Sequence, residues 1–189
     1  PPAIAEVRPL FDGTAATVEG VLTMALGAVD GARGGFVQDD TAGIGLYLDA
    51  AVTDPLPAGT RVRVTGTLDT RYAQRILRVS RAAIADLGAG ALPAPWTTAT
   101  GDATEALEGR FVEVRGTVTE TPSALADGTG ITIDDGSGPV RLVVTPGALP
   151  AATPVRGDVV TARGPLGQRD STGTGTVGYR VYVTLPGDL

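Results

Sequence analysis

Gly59-Thr60-Arg61-Val62-Arg63-Val64-Thr65-Gly66 returns 98 positions on as Gly157-Asp158-Val159-Val160-Thr161-Ala162-Arg163-Gly164. In the first copy Val62 and Val64 alternate with Arg61, Arg63 and Thr65, the period of two expected of a strand with one buried face. Upstream, Val18-Glu19-Gly20-Val21-Leu22-Thr23 matches Val114-Arg115-Gly116-Thr117-Val118-Thr119 at an offset of 96. Between these, Gln38-Asp39-Asp40-Thr41-Ala42-Gly43 matches Ile133-Asp134-Asp135-Gly136-Ser137-Gly138 at an offset of 95. Order and spacing are both kept, so the chain reads as two copies of one unit.

The remaining segments also read as strands. Ile44, Leu46 and Leu48 alternate with Gly45 and Tyr47; Val140, Leu142 and Val144 share a face, as do Val181, Val183 and Leu185. Asp-Asp followed by a small residue and Gly suits the turns between strands, because Asp caps turns and Gly accepts positive φ. Gly20 and Gly116 interrupt the first long strand of each copy, as expected where one strand bends to serve two sides of a small barrel. Helical signals are confined to Thr100–Leu107, with Thr100 as the expected cap. Leu92-Pro93-Ala94-Pro95-Trp96 is stiffened by two prolines and marks a boundary. The expected organisation is a first barrel over 1–93 with an extended amino-terminal segment, a linker at 94–99, and a second barrel over 100–189. Trp96 is either a pin between the units or an exposed linker residue.

Composition removes most chemistry. The 189 residues include no Cys, His, Lys or Asn, and carry 15 Arg against 21 acidic residues, for a net charge of -6. The usual zinc sites, haem ligands, thiol nucleophiles and Ser-His pairs are therefore unavailable, as are Lys-dependent phosphate loops and Schiff bases. No cofactor, metal or catalytic role is expected. No apolar run is long enough to span a bilayer, and a secretory signal is either absent or already removed.

The long strand with a glycine kink, the Asp-Asp-small-Gly turn, and the Gly-x-x-Val-x-Val-x-Gly strand together resemble the oligonucleotide/oligosaccharide-binding barrel, the OB-fold. Two such units in series are similar to tandem OB modules of large bacterial secreted or cell-surface proteins, some of which also carry lamin-tail or endonuclease/phosphatase domains. The fold class that the resemblance implies is all-β, two tandem five-stranded Greek-key barrels. The role it implies is a non-catalytic extracellular or cell-surface module making protein–protein or self-assembly contacts. The alternative is an accessory module for single-stranded nucleic acid beside a nuclease-like domain.

Two sets of residues follow from these alternatives. Arg61, Arg63, Arg71, Arg75, Arg78 and Arg81 form the one basic concentration, and Tyr72 lies among them. In an OB barrel this window is strand four, the loop to strand five, and strand five, one wall of the usual cleft. Arg61, Arg63, Arg71, Tyr72, Arg75 and Arg78 are thus the nucleic-acid candidates, and a solvated outer face paired with nearby acids is the competing reading. Ile4, Val7, Leu10 and Phe11 are the assembly candidates: Pro1–Phe11 either packs on its own barrel or adds to the edge of another copy. Asp39-Asp40 and Asp134-Asp135 read as turns, since neither shows the acidic spacing of a calcium loop. Gly173-x-Gly175-x-x-Gly178 matches a dinucleotide fingerprint in letters only. A strand pattern follows it where a helix is required, so residues 168–178 read as a flexible polar loop. Phe36 and Phe111 read as core.

Overall fold

The computed structural model describes residues 1–189. A short helix, α1 (Ile4–Val7), precedes thirteen strands: β1 (Ala15–Leu22), β2 (Gly34–Gln38), β3 (Gly43–Leu48), β4 (Thr60–Arg71), β5 (Gln74–Val79), β6 (Ile84–Ala89), β7 (Trp96–Thr97), β8 (Phe111–Val118), β9 (Ser123–Leu125), β10 (Gly128–Asp134), β11 (Val140–Val144), β12 (Val159–Gln168) and β13 (Tyr179–Val183). The first sheet runs β1-β2-β3-β5-β4 and closes through a β4–β1 pairing. The second runs β8-β10-β11-β13-β12 and closes through β12–β8. In each the third and fifth strands are parallel and the other ladders antiparallel. Two closed five-stranded barrels with this order are OB-folds, and the protein is all-β apart from short helical turns.

Closure depends on strands that serve two neighbours. β1 pairs with β4 along Ala15–Val21 and with β2 at Val21–Leu22. Gly20 lies at that changeover, where a β-carbon would overlap the Gln38 carbonyl. Gly116 stands in the same place in the second barrel, less tightly, against the Asp134 backbone. The long β4 gives its amino-terminal half to β6 and its carboxy-terminal half to β5. The alternating side chains then sort by face: Val18, Val37, Ile44, Leu46, Val62, Val64, Leu68 and Leu77 fill the first barrel. Val112, Val114, Ile131, Ile133, Leu142, Leu166 and Val181 fill the second. Each such side chain stabilises the fold by about 1.5–3 kcal/mol through lost contact with water.

The amino-terminal segment is a correction to the sequence reading. It is helical at Ile4–Val7 rather than extended, and Ile4 and Val7 are buried in the first barrel's own core. Those two side chains are therefore withdrawn from any contact with another copy, whereas Leu10 and Phe11 remain exposed. The reason is a clasp: Asp39 in the β2–β3 turn accepts from the Ile4 amide at 2.8 Å and from the Thr41 and Ala42 amides.

The second barrel repeats the device. Asp135 in the β10–β11 turn accepts from the Thr100 amide and hydroxyl and from the Ser137 amide. Ile4 and Thr100, Asp39 and Asp135, and Thr41 and Ser137 are all 96 residues apart, so the turn equivalence lies one residue away from the offset of 95 read from the letters. Thr100 is consequently not a helix cap: its hydroxyl faces Asp135, and 100–107 forms two 3-10 turns, Thr100–Asp102 and Glu105–Leu107.

Residues 96–97 join the second sheet as β7, parallel to β8. Trp96 is 56% exposed, and 5.6 Å from its ring lies the guanidinium of Arg110, which donates to the Thr41 carbonyl of the first barrel. The loop 168–178 is tied rather than free. Asp170 accepts from the amides of Thr172 and Gly175 and from the Thr172 and Thr174 hydroxyls, which draws its carboxyl down to about 2.

Candidate nucleic-acid interface

Which surface is open depends on how the barrels meet. The outward positions of β2, β3 and β5 in the first barrel, the face beside the usual OB cleft, lie against the second barrel. Phe36 meets Tyr182 at a centroid distance of 5.8 Å, within a buried cluster that includes Met24, Val29 and Val143. Phe36 is thus core, but core of the joint rather than of its own barrel.

Around this cluster several polar groups pair across the joint. Gln38 Oε1 accepts from the Phe111 amide at 2.6 Å and Gln74 Oε1 from the Gln168 amide at 2.9 Å. Gly43 and Gly109 are in backbone contact; a β-carbon on either would overlap the other's carbonyl. Glu108, whose side chain is 1% exposed, accepts from Arg8 Nη2 and from the Arg75 amide, both at 3.0 Å. Burial pushes its carboxyl up, against the pull of Arg8.

The six nucleic-acid candidates do not form one groove. Arg63 pairs with Glu19 across the β1–β4 ladder, as Arg163 pairs with Glu113 in the second barrel. Arg75 turns toward the amino-terminal segment, donating to the carbonyls of Arg8 and Leu10 and pairing with Asp12. Arg78 pairs with Asp69. Arg61 stands apart, exposed on the rim of a groove with Glu19, Asp39 and Asp40. Arg63, Arg75 and Arg78 are thus neutralised by acids of the first barrel.

Arg71 and Tyr72 go elsewhere. They end the β4 strand and begin a two-residue hairpin in which Tyr72 and Ala73 both have positive φ, 52° and 69°. Such a turn normally takes Asn-Gly, since each ordinary L-residue there is strained. It carries Tyr72 to the second barrel: the Asp170 amide donates to the Tyr72 carbonyl at 2.8 Å, and the Arg169 guanidinium lies 4.2 Å from the Tyr72 ring centre. Arg71 lies 4.8 Å from the same ring and 4.3 Å from Tyr47, and Arg78 lies 5.5 Å from Tyr47. The result is an alternation, Arg78–Tyr47–Arg71–Tyr72–Arg169, crossing from one barrel to the other.

At its far end a cleft of about 320 Å³ opens between the barrels. Arg71, Arg169 and Arg180 line it with Asp30 and Asp127; Leu125, Val143 and Tyr182 form its apolar wall. Asp30 pairs with Arg71 at 3.2 Å and Arg169 at 3.7 Å. Arg141 stands beside Arg180 on the parallel β11–β13 ladder. Arg180 has no carboxylate partner: it donates only to the carbonyls of Gly178 and Arg169, at 3.3 and 3.4 Å. Burial, with the like charges of Arg141 and Arg169, pulls its pKa down.

Arg141, Arg169 and Arg180 are not among the site candidates that the sequence offers. A basic residue at an outward strand position is ordinary, and only the docking of the barrels gathers these three with Arg71. No helix is long and apolar enough to cross a membrane.

No family model and no curated protein matches the chain. Among solved structures it is similar to the tetrameric p202 HIN2, at 13% identity and a TM-score of 0.42 over 93% of each chain. It is also similar to a murine DNA-binding protein bound with double-stranded DNA, at 13% identity and a TM-score of 0.43, over 88% of this chain and 93% of that one. A multidomain protein with nucleic-acid-binding domains from Streptococcus pneumoniae shares 19% identity at a TM-score of 0.21, over 80% of this chain and 40% of that one. The fold stands on the strand order itself.

Proposed function

We propose that this chain is a non-catalytic binding module for single-stranded nucleic acid, with the strand laid along the seam between the barrels. The observation that carries this reading is the arginine–tyrosine alternation leading into a cleft whose Arg180 has no acidic partner. Guanidinium planes and tyrosine rings stack on bases without regard to sequence, and the guanidinium charges hold phosphates. The face usually used by an OB barrel is covered in the first unit, so the seam takes its place. The surplus of positive charge is local, within a protein of net charge -6.

Fluorescence anisotropy with a labelled oligothymidylate tests this. Binding is expected to weaken with salt, with a log–log slope of roughly -2 to -3 for four engaged arginines. Arg71→Ala and Arg169→Ala each weaken it, while Arg63→Ala, whose native guanidinium pairs with Glu19, leaves it unchanged. No binding at low salt, or an equal loss in the Arg63 variant, overturns the proposal.

A second reading, protein–protein or assembly contact in an extracellular or cell-surface setting, is favoured by one observation: Phe11 is 90% exposed beside Leu10 at 43%. Light scattering decides it. An oligomer dispersed by Phe11→Ser supports that reading, and a monomer in both forms removes its self-assembly part.

A further inference from the structure

Asp30 occupies an unusual position. It is the first of three consecutive residues in the left-handed region, Asp30, Gly31 and Ala32, at φ 56°, 63° and 64°. Only the middle one is a glycine, so the loop between β1 and β2 holds two ordinary residues in a strained conformation. That conformation delivers the Asp30 carboxylate into the cleft between a guanidinium of the first barrel, Arg71, and one of the second, Arg169.

The two carboxylates of the cleft do not satisfy the site: Asp30 pairs with Arg71 and Arg169, and Asp127 lines the cleft without an ion pair. Arg180 lines the same cleft without an acidic partner, and Arg141 adds its charge from the neighbouring strand. Three guanidinium groups lining one cleft, with a fourth beside them, match an anion with several acceptor oxygens and more than one charge. A carboxylate offers two oxygens and a single charge.

We propose that this cleft is a phosphate subsite, and that the Asp30 carboxylate stands in it as an intramolecular competitor displaced when a phosphate group enters. The phosphate is either free, as pyrophosphate, or part of a nucleic-acid backbone; for the second source the inference rests on the function proposed above. The left-handed loop is the element that moves. Releasing Asp30 relieves its strain, while the entering phosphate takes over Arg71 and Arg169 and reaches Arg180.

Titration calorimetry of the full chain with inorganic pyrophosphate, and separately with an oligothymidylate, is the test. Asp30→Asn and Asp30→Gly both suit a left-handed backbone and remove the competing charge. Both are expected to bind pyrophosphate about fivefold more tightly than the native chain, the effect of removing one partly exposed ion pair. Arg180→Ala is expected to lose pyrophosphate binding at least about tenfold, as for a charge-assisted contact.

If Asp30 is only a tie between the barrels, both Asp30 variants melt lower and bind pyrophosphate equally or more weakly, which overturns the proposal. Native-like pyrophosphate binding in Arg180→Ala also overturns it. Tightened pyrophosphate binding with no oligothymidylate binding supports the subsite while removing the nucleic-acid reading. Oligothymidylate binding with pyrophosphate affinity unmoved by the Asp30 variants does the reverse.

Discussion

In the first barrel the outward side of β2, β3 and β5 presents Phe36, Gln38, Gly43 and Gln74, and each touches the second barrel. In the second barrel the corresponding strands β10, β11 and β13 present Thr132, Arg141, Val143, Arg180 and Tyr182. There only Val143 and Tyr182 enter the buried joint. One barrel has given its face to docking, and the other keeps part of that face as a charged wall. Duplicated folds can therefore divide their work: a small-residue, amide-bearing face suits close protein contact, while an arginine-bearing one suits a ligand.

The sharpest way to break this contrast is to cut the joint. Phe36→Ala removes one of the two aromatic side chains of the shared cluster and is expected to cost about 3–5 kcal/mol, through lost burial and an unfilled cavity. Gly43→Ala acts by overlap instead, forcing apart two backbones in contact; about 3 kcal/mol is expected. Urea unfolding followed by fluorescence and circular dichroism should show one transition in the native chain and two separated transitions in either variant. Arg141→Ala, on the uncovered face, should shift the midpoint by less than about 0.5 kcal/mol. Equal losses at Gly43 and Arg141 would erase the distinction between the faces.

How far the sequence foretold this differs between the barrels and their joint. The barrels were legible because alternation is local: Val62 and Val64 announce their face within a few residues. The joint was not, because a covered outward position looks like an exposed one until its partner is in place. One signal was present. β3 reads Gly43-Ile44-Gly45-Leu46, with glycine at outward positions, and a strand without outward side chains is one that another backbone approaches closely. The Tyr72-Ala73 turn gave no signal, since it uses neither Asn nor Gly; its shape is held by Arg71, Arg169 and Asp170 from two barrels. Of the two readings of the basic stripe, the face paired with nearby acids describes Arg63, Arg75 and Arg78, and arginines close in sequence diverge in space, with Arg75 turned toward Asp12 and Arg71 toward Asp30.

Glu108 tests whether the joint responds to pH. Burial raises its pKa above the unfolded value of 4.5 despite Arg8. A raised carboxyl contributes stability that is fully present below pH 4.5 and is lost as pH rises through the folded pKa. Glu108→Gln, which keeps an acceptor for the Arg75 amide, should flatten this part of the stability profile. Urea midpoints measured from pH 4.5 to pH 8 check it, and an unchanged slope in the variant would assign the pH dependence to other groups.

The smallest expected effect separates the two clasps. Burial pushes Asp39 up, but donors from the Ile4 amide, the Thr41 hydroxyl and the Ala42 and Thr41 amides outweigh it, and its pKa falls below 3.8. At Asp135 the Ser137 hydroxyl and amide, then the Thr100 amide and hydroxyl, pull the carboxyl much further down, with little opposing burial. Both depressed groups supply stability that is present above pH 3.8 and lost as pH falls through the folded value. Asp39 should therefore protonate first on acidification. Amide exchange followed by NMR from pH 5 downward should show the Ile4 amide losing protection, relative to its intrinsic rate, at a higher pH than the Thr100 amide. The order follows from burial: α1 seats Ile4 and Val7 in a core and draws Asp39 out of water, whereas the turn at Thr100–Asp102 leaves Asp135 hydrated. Simultaneous loss at both amides would mean that the clasps are set by the shared turn and not by what each holds.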